Sequence, residues 1–332
     1  MAFPERLRTA HTIETEDGWE LVMFQDRPRH CRSTVPVFLL HGLASTTECW
    51  YGGRSGGIAT ALAESGREVW TLQMRGGPFS KHPDRFETVR MSDKLRHDVP
   101  TAIRYILEQS GQDALDAVGH SMGGILLSLY ALSNTAAPIR RLVTIGSPLT
   151  LDRAVLPRFI RNRFGRAVAQ QLRHVPLQFL SERFSWLIPA RLVPTHFCPQ
   201  LADRPTTRQV LQKQVSDLFG SELAELVDWI SRSDARVLLS DGLKLSHRRM
   251  PVPTRFIVGA RDSLTSPEAV SRTFHRIGAS DSDLHILGTE QGYRHDYRHF
   301  DVLVGGKEAS EATGLVLEWL CGPVISQVAG QR

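Results

Sequence analysis

Ala117-Val118-Gly119-His120-Ser121-Met122-Gly123-Gly124 joins an apolar run, Ala114 to Val118, to an apolar stretch of helical character, Ile125 to Leu132. A serine flanked two residues away on each side by glycine, at a strand-to-helix junction, reads as a nucleophile elbow. Strained backbone at the tip of such a turn projects the hydroxyl away from the sheet, and Gly119 and Gly123 stand where side chains would collide across it. The turn also aims the first N–H groups of the new helix at the reacting centre, where they can hold anionic charge. The N–H of Met122 is the candidate for one oxyanion donor.

Outward from the elbow, the chain alternates strand-like and helix-like segments. Val35-Pro36-Val37-Phe38-Leu39-Leu40 is a continuous apolar run of the kind found in a strand buried on both faces, and His41-Gly42-Leu43-Ala44 ends it. Glu68 to Leu72 and Arg141 to Ile145 are further strands, with helices predicted over Gly57 to Gly66 and Ser92 to Gln109. At the start, His11 to Thr15 and Trp19 to Phe24 flank Asp17-Gly18, a pair suited to a hairpin turn. Later come Thr254 to Gly259, a helix from Pro267 to Ile277, Leu284 to Leu287, and a closing helix from Lys307 to Leu320 with Ala312, Leu315, Val316 and Trp319 on its apolar side. Strands separated by helices in this rhythm predict a mostly parallel central sheet flanked by helices.

From Pro148 to Met250 the rhythm stops for roughly a hundred residues, far more than an ordinary connection. Residues 149–250 are therefore expected to form a helical lid inserted after the sixth strand, leaving 1–148 and 251–332 as the core. The insertion offers helix-like pieces at Ala154 to Leu172 and Ser221 to Ile230, and an aromatic, proline-rich middle with Phe179, Phe184, Trp186, Pro189, Pro194 and Phe197. Those aromatics could form a small core of their own or cover the serine, since loops beyond the strand ends of such sheets carry specificity.

The 332 residues suffice for one large α/β domain with an insertion, and 41% hydrophobic with 23% charged residues is the balance of a globular protein. The net charge of +5 is spread along the chain without a nucleic-acid-binding motif, so no nucleic-acid partner is expected. Val35 to Leu40 is too short to cross a bilayer, so no stable membrane insertion is expected either. Cys31, Cys49, Cys198 and Cys321 are scattered without metal-ligand spacing. They read most simply as reduced thiols of a cytoplasmic protein, the even count leaving a disulfide open if the chain is exported.

A serine hydroxyl needs a base within hydrogen-bond reach, and the base needs an acid to hold its tautomer. Asp262 follows directly on a predicted strand end and so shares the rim of Ser121; it is also suited to cap the next helix, and Asp152 is the reserve acid. For the base, the stretch after the last strand offers His295 and His299, while His285 lies within a strand pattern and reads as structural. Position favours His299, with Asp301 available to brace its loop. The loop after the third strand passes beside an elbow in this architecture, making the N–H of Leu43 the second oxyanion donor and His41 a brace for that loop. Trp50 and Tyr51 are candidates to line an apolar substrate cleft.

These segments together resemble the α/β-hydrolase superfamily and, within it, the acid-lipase and esterase branch. The resemblance is carried by the elbow, His41-Gly42-Leu43, Glu68-Val69-Trp70 followed by Arg75-Gly76, His97-Asp98-Val99-Pro100, and His299-Phe300-Asp301 followed by Gly305. It covers residues 35–148 and 254–321, and its histidine-x-aspartate motif is the main reason for preferring His299. It implies an α/β-hydrolase fold and a carboxylic-ester hydrolase acting on a small-molecule or lipid-like ester through Ser121, His299 and Asp262, with no metal or organic cofactor. Two other readings remain open: acyl transfer, as in polyester synthases, which carry cysteine where this chain has Ser121, and a ligand-binding protein on a hydrolase scaffold.

Overall fold

The computed structural model describes residues 8–52, 56–82, 88–150, 167, 171, 173–184, 201, 204–232, 249–278, 281–304 and 310–322. The chain opens with β1 (Arg8–Glu14) and β2 (Glu20–Asp26), paired antiparallel. Gly18, at φ 85°, turns the hairpin in the left-handed region that favours glycine, and Thr15 closes it by donating its N–H to the Trp19 carbonyl at 2.9 Å. Then follow β3 (Val37–Leu40), α1 (Ile58–Glu64), β4 (Val69–Gln73), α2 (Val99–Ser110), β5 (Leu115–His120), α3 (Met122–Ser133) and β6 (Ile139–Ile145). Beyond the insertion come β9 (Thr254–Gly259), α7 (Pro267–Ile277), β10 (Asp283–Leu287) and α8 (Glu311–Cys321).

The eight-stranded sheet has the order β1-β2-β4-β3-β5-β6-β9-β10, parallel from β4 onward, with the hairpin antiparallel at one edge. Every residue of β3, β4, β5 and β9 is buried, because helices cover both faces of the sheet. Side-chain alternation divides the core accordingly. Phe38, Leu40, Leu142 and Phe256 join residues of α2, α3 and α7 on one face, while Val37, Leu39, Val143 and Ile257 join residues of α1 and α8 on the other. α3 has ten buried residues among its twelve, so it is a core helix apolar all round, as its sequence requires.

The helix expected over Ser92 to Gln109 is interrupted. A wide turn, Lys94–Asp98, precedes α2. Pro100 has no N–H to offer the carbonyl four residues back, so the regular ladder cannot run through this point.

Between β6 and β9 the described residues form β7 (His174–Val175), α4 (Leu177–Phe184), α5 (Arg204–Lys213), β8 (Leu218–Phe219) and α6 (Gly220–Arg232), with β7 and β8 paired antiparallel. α6 covers the helix expected at Ser221 to Ile230 and docks on the core: Trp229 and Ile230 are buried, and the Trp229 indole donates to the Leu149 carbonyl at 3.1 Å. Phe179 is exposed. Asp152, most of Ala154 to Leu172, Trp186, Pro189, Pro194, Phe197 and Cys198 lie outside the described residues, as do Lys307 and Gly305. Among the described residues no helix is long and apolar enough to cross a membrane.

Candidate active site

Ser121 stands between β5 and α3 at φ 51° and ψ −122°, a conformation that L-residues rarely adopt and that costs on the order of 1–3 kcal/mol. Its N–H is anchored to the Ile145 carbonyl of β6 at 2.8 Å, and its own carbonyl accepts the Ile125 N–H at 3.2 Å to begin the helix. The glycines are there because backbone passes too close for a side chain. A methyl at Gly119 would overlap the Gly124 backbone, one at Gly123 the Leu40 and His41 carbonyl oxygens, and one at Gly124 the Ser147 hydroxyl. Gly42 brings the loop after β3 against the serine, since a Cβ there would lie 3.1 Å from Ser121 Cβ.

Asp262 follows β9 and His299 follows β10, and the two loops are laced together. Arg261 N–H donates to the Tyr297 carbonyl at 2.9 Å, and a methyl at Gly259 would overlap that same carbonyl oxygen. His299 Nδ1 donates to Asp262 Oδ2 at 2.7 Å, with both side chains buried. The remaining carboxylate oxygen accepts the N–H groups of Leu264 at 2.9 Å and Thr265 at 2.8 Å. Burial works to raise the Asp262 carboxyl, but the facing His299 and the Thr265 donors outweigh it and hold the group below the usual carboxylate range. The Asp301 carboxylate braces the loop by accepting the Arg298 N–H at 2.5 Å.

His120 ties this pair to the elbow. Its Nε2 donates to the His299 carbonyl oxygen at 3.0 Å, and the two rings lie 4.7 Å apart. Burial, with His299 alongside, pushes the His120 imidazole down to about 3, so it stays neutral. The other two histidines are elsewhere. His295 packs edge-on against Tyr297, and His285 sits on the edge strand β10 with Nδ1 2.9 Å from the Tyr293 hydroxyl.

Leu43 lies half-buried in the turn after β3, and Met122 is the first residue of α3, whose N–H has no carbonyl within the helix to meet. His41 Nδ1 donates to the Gly42 carbonyl at 2.8 Å, while Nε2 accepts the Met74 N–H at 3.3 Å and faces the Gln73 amide at 3.2 Å. Burial holds His41 down to about 3, so the neutral ring keeps one donor and one acceptor for this bracing role.

The other end of this loop is held by the insertion, a connection that sequence reasoning missed. Ser216 N–H donates to the Ala44 carbonyl at 3.0 Å, Thr46 N–H to the Gln214 carbonyl at 3.1 Å, and the Thr46 hydroxyl to the Lys213 carbonyl at 2.7 Å. Ala44 takes φ 50° to make the turn. The insertion is fastened again where Lys94 meets Glu222 at 2.5 Å and where Glu225 accepts the Met91 N–H at 2.6 Å and the Ser92 N–H at 3.1 Å. Such pairings join residues more than a hundred positions apart and leave no local signal.

Of the two aromatics expected to line the cleft, Trp50 is fully buried and Tyr51 half-buried. The short helix Thr47–Tyr51 turns Trp50 completely into the core beside Leu39 and Ile58, and the Tyr51 hydroxyl donates to Asp26 Oδ2 at 2.5 Å with Arg8 stacked 4.2 Å over its ring. Arg75 and Asp98, from two segments that carry the family resemblance, form a buried ion pair at 2.8 Å, and Arg75 also grips Asp17 at 2.6 Å. Among the described residues no group of three or more His, Cys, Asp or Glu side chains is placed to hold a metal ion.

Residues 35–287 match the family model described as the alpha/beta hydrolase fold. Among characterised proteins, the chain is 21% identical to lipase member N of Homo sapiens over 89% of this chain and 83% of that one. It is 32% identical to human lysosomal acid lipase/cholesteryl ester hydrolase, over 34% of this chain and 32% of that protein, about a third of its length. Solved structures with the same fold include a hydrolase from Pseudomonas aeruginosa PA01 (TM-score 0.60, 19% identity, 94% of this chain and 98% of that one) and a thermophilic esterase from Thermogutta terrifontis (TM-score 0.60, 15% identity, 94% and 98%). With three quarters of its length matched and an elbow, a sheet order and segments resembling the acid-lipase and esterase branch, this chain belongs to the alpha/beta hydrolase fold family.

Proposed function

We propose that this chain is a carboxylic-ester hydrolase that works through an acyl-enzyme on Ser121. The observation that carries the reading is the buried Asp262–His299 hydrogen bond of 2.7 Å, tied through His120 to a serine in strained geometry. In the reaction, Ser121 Oγ bonds to the ester carbonyl carbon while its proton passes to His299 Nε2, and Asp262 keeps the Nδ1 proton in place and stabilises the imidazolium. The carbonyl oxygen becomes an anion facing the N–H groups of Leu43 and Met122, each such donor being worth roughly 2.7–4 kcal/mol in the transition state. As the carbon–oxygen bond breaks, the imidazolium gives its proton to the departing alcohol. Water then attacks the acyl-enzyme with His299 as base, releasing the acid and restoring Ser121.

Lipase and esterase relatives support a small-molecule or lipid-like ester as substrate. Among the described residues Cys31, Cys49 and Cys321 form no disulfide, and we propose a cytoplasmic location, where thiols stay reduced. The test is hydrolysis of a p-nitrophenyl ester series from acetate to palmitate by wild type and Ser121→Ala. Turnover that falls by about a millionfold in the variant is expected. Unchanged turnover in Ser121→Ala rejects the mechanism.

A further inference from the structure

We propose that Thr265 is a positioning residue of this centre, its hydroxyl fixing the Asp262 carboxylate so that Oδ2 stays aimed at His299 Nδ1. The inference rests on the serine-hydrolase reading. A carboxylate offers about four lone-pair sites. Oδ1 of Asp262 accepts the N–H groups of Leu264 and Thr265, and Oδ2 accepts His299 Nδ1–H at 2.7 Å and the Thr265 hydroxyl, also at 2.7 Å. With those four sites filled and the group closed from solvent, the carboxylate cannot turn about its own bond without breaking a hydrogen bond that no water can replace.

The Thr265 hydroxyl oxygen also lies 3.2 Å from His299 Nδ1. Because Nδ1 is itself the donor to Asp262, the Thr265 proton has Oδ2 as its acceptor, and the hydroxyl, ring and carboxylate form one triangle. Space for that triangle is reserved. Gly146, at φ 57°, stands where a Cβ would come within 3.0 Å of the Thr265 hydroxyl, 3.3 Å of Asp262 Oδ2 and 3.3 Å of His299 Cε1.

The usual structural task for a hydroxyl here, capping the following helix, is already taken. Ser266 caps α7 by accepting the Ala269 N–H at 3.3 Å, with Pro267 as the first helical residue. That frees the Thr265 hydroxyl for the carboxylate and holds its backbone rigidly at the helix entrance.

The experiment compares Thr265→Val, which keeps the shape and loses the hydroxyl, with Thr265→Ser, which keeps the hydroxyl, on the best p-nitrophenyl ester, with Ser121→Ala alongside. Loss of one hydrogen bond to a charged group predicts a kcat about tenfold lower in Thr265→Val, with KM within about twofold of wild type, and recovery to within about threefold in Thr265→Ser. Wild-type kcat in Thr265→Val overturns the proposal, as does equal impairment of the two variants. A rise in KM alone overturns it too. Should Thr265→Val not fold, Thr265→Ala is compared with Thr265→Ser by the same criteria. If Ser121→Ala retains turnover, the serine mechanism itself falls; if Ser121→Ala is inactive and Thr265→Val is not impaired, only the role of Thr265 falls.

Discussion

His299 Nδ1 lies 2.7 Å from Asp262 Oδ2, and each side chain belongs to a different loop at the same rim of the sheet. The partnership fixes the ring's tautomer, so an amide in place of the carboxylate is the sharpest perturbation. Asp262→Asn can offer an N–H to Nδ1 and stabilise the wrong tautomer, and kcat is expected to fall by about ten thousandfold. Steady-state kinetics on a p-nitrophenyl ester checks this, and a loss below tenfold would remove Asp262 from its assigned role.

Gly42 adjoins the proposed oxyanion donor Leu43. A Cβ there would lie 3.1 Å from Ser121 Cβ and 3.4 Å from the His120 carbonyl oxygen, so Gly42→Ala must push the loop bearing Leu43 away from the serine. The expected outcome is a kcat lower by about a hundredfold with the thermal midpoint nearly unchanged. Equal activity would mean that the Leu43 N–H takes no part.

The insertion grips that same loop from outside. Ser216→Pro removes the N–H that bonds the Ala44 carbonyl, and with it one of the two ties of the short ribbon around Ser45 and Val215. A kcat reduced by about tenfold, from a loosened Leu43, is expected in the same assay. Wild-type kinetics would show that the loop is held without the insertion.

Arg75 and Asp98 form a buried link between two of the resembling segments. Arg75→Met leaves the Asp98 carboxylate buried without its partner, at a cost of about 3–5 kcal/mol, and Asp98→Leu in the same chain should recover part of it. Denaturant unfolding of the single and double variants checks the sign. A double variant no more stable than Arg75→Met would contradict the account.

Asp17, at the far end of that network, supplies a pH dependence. Burial works to raise its carboxyl, but Arg75 outweighs this and brings it from 3.8 down to about 2. A carboxyl depressed by folding stabilises the fold above its unfolded value and loses that contribution as pH falls through the folded one. Thermal melts of Asp17→Asn should therefore lie below wild type at neutral pH, with the gap closing as pH falls toward about 2. A gap of constant size would mean that the charge is not what matters.

Much of this was legible from residues alone, for physical reasons that differ by element. Continuous apolar runs such as Val37 to Leu40 mark strands covered on both faces, and Pro267 stands at a helix start. The tight turn at Ser121 is legible because only glycine tolerates the crowding at positions 119 and 123. Asp262 follows from its place after a strand end, whereas choosing His299 over His295 leaned on the histidine-x-aspartate resemblance. Trp50 shows the limit: an aromatic after a loop carries no sign of whether a helical turn will point it inward. The ties from Ala44 and Thr46 to residues 213–216, and the Thr265 hydroxyl on Asp262, depend on three-dimensional proximity that no local pattern encodes.

The most direct test of the account is reaction with a fluorophosphonate, followed by mass spectrometry of the peptide bearing Gly119 to Gly124. Activity should vanish in step with the attachment of one phosphonyl group to Ser121, and Ser121→Ala should take no label there. Inactivation with the label on another residue, or full labelling of Ser121 with undiminished turnover, would contradict it.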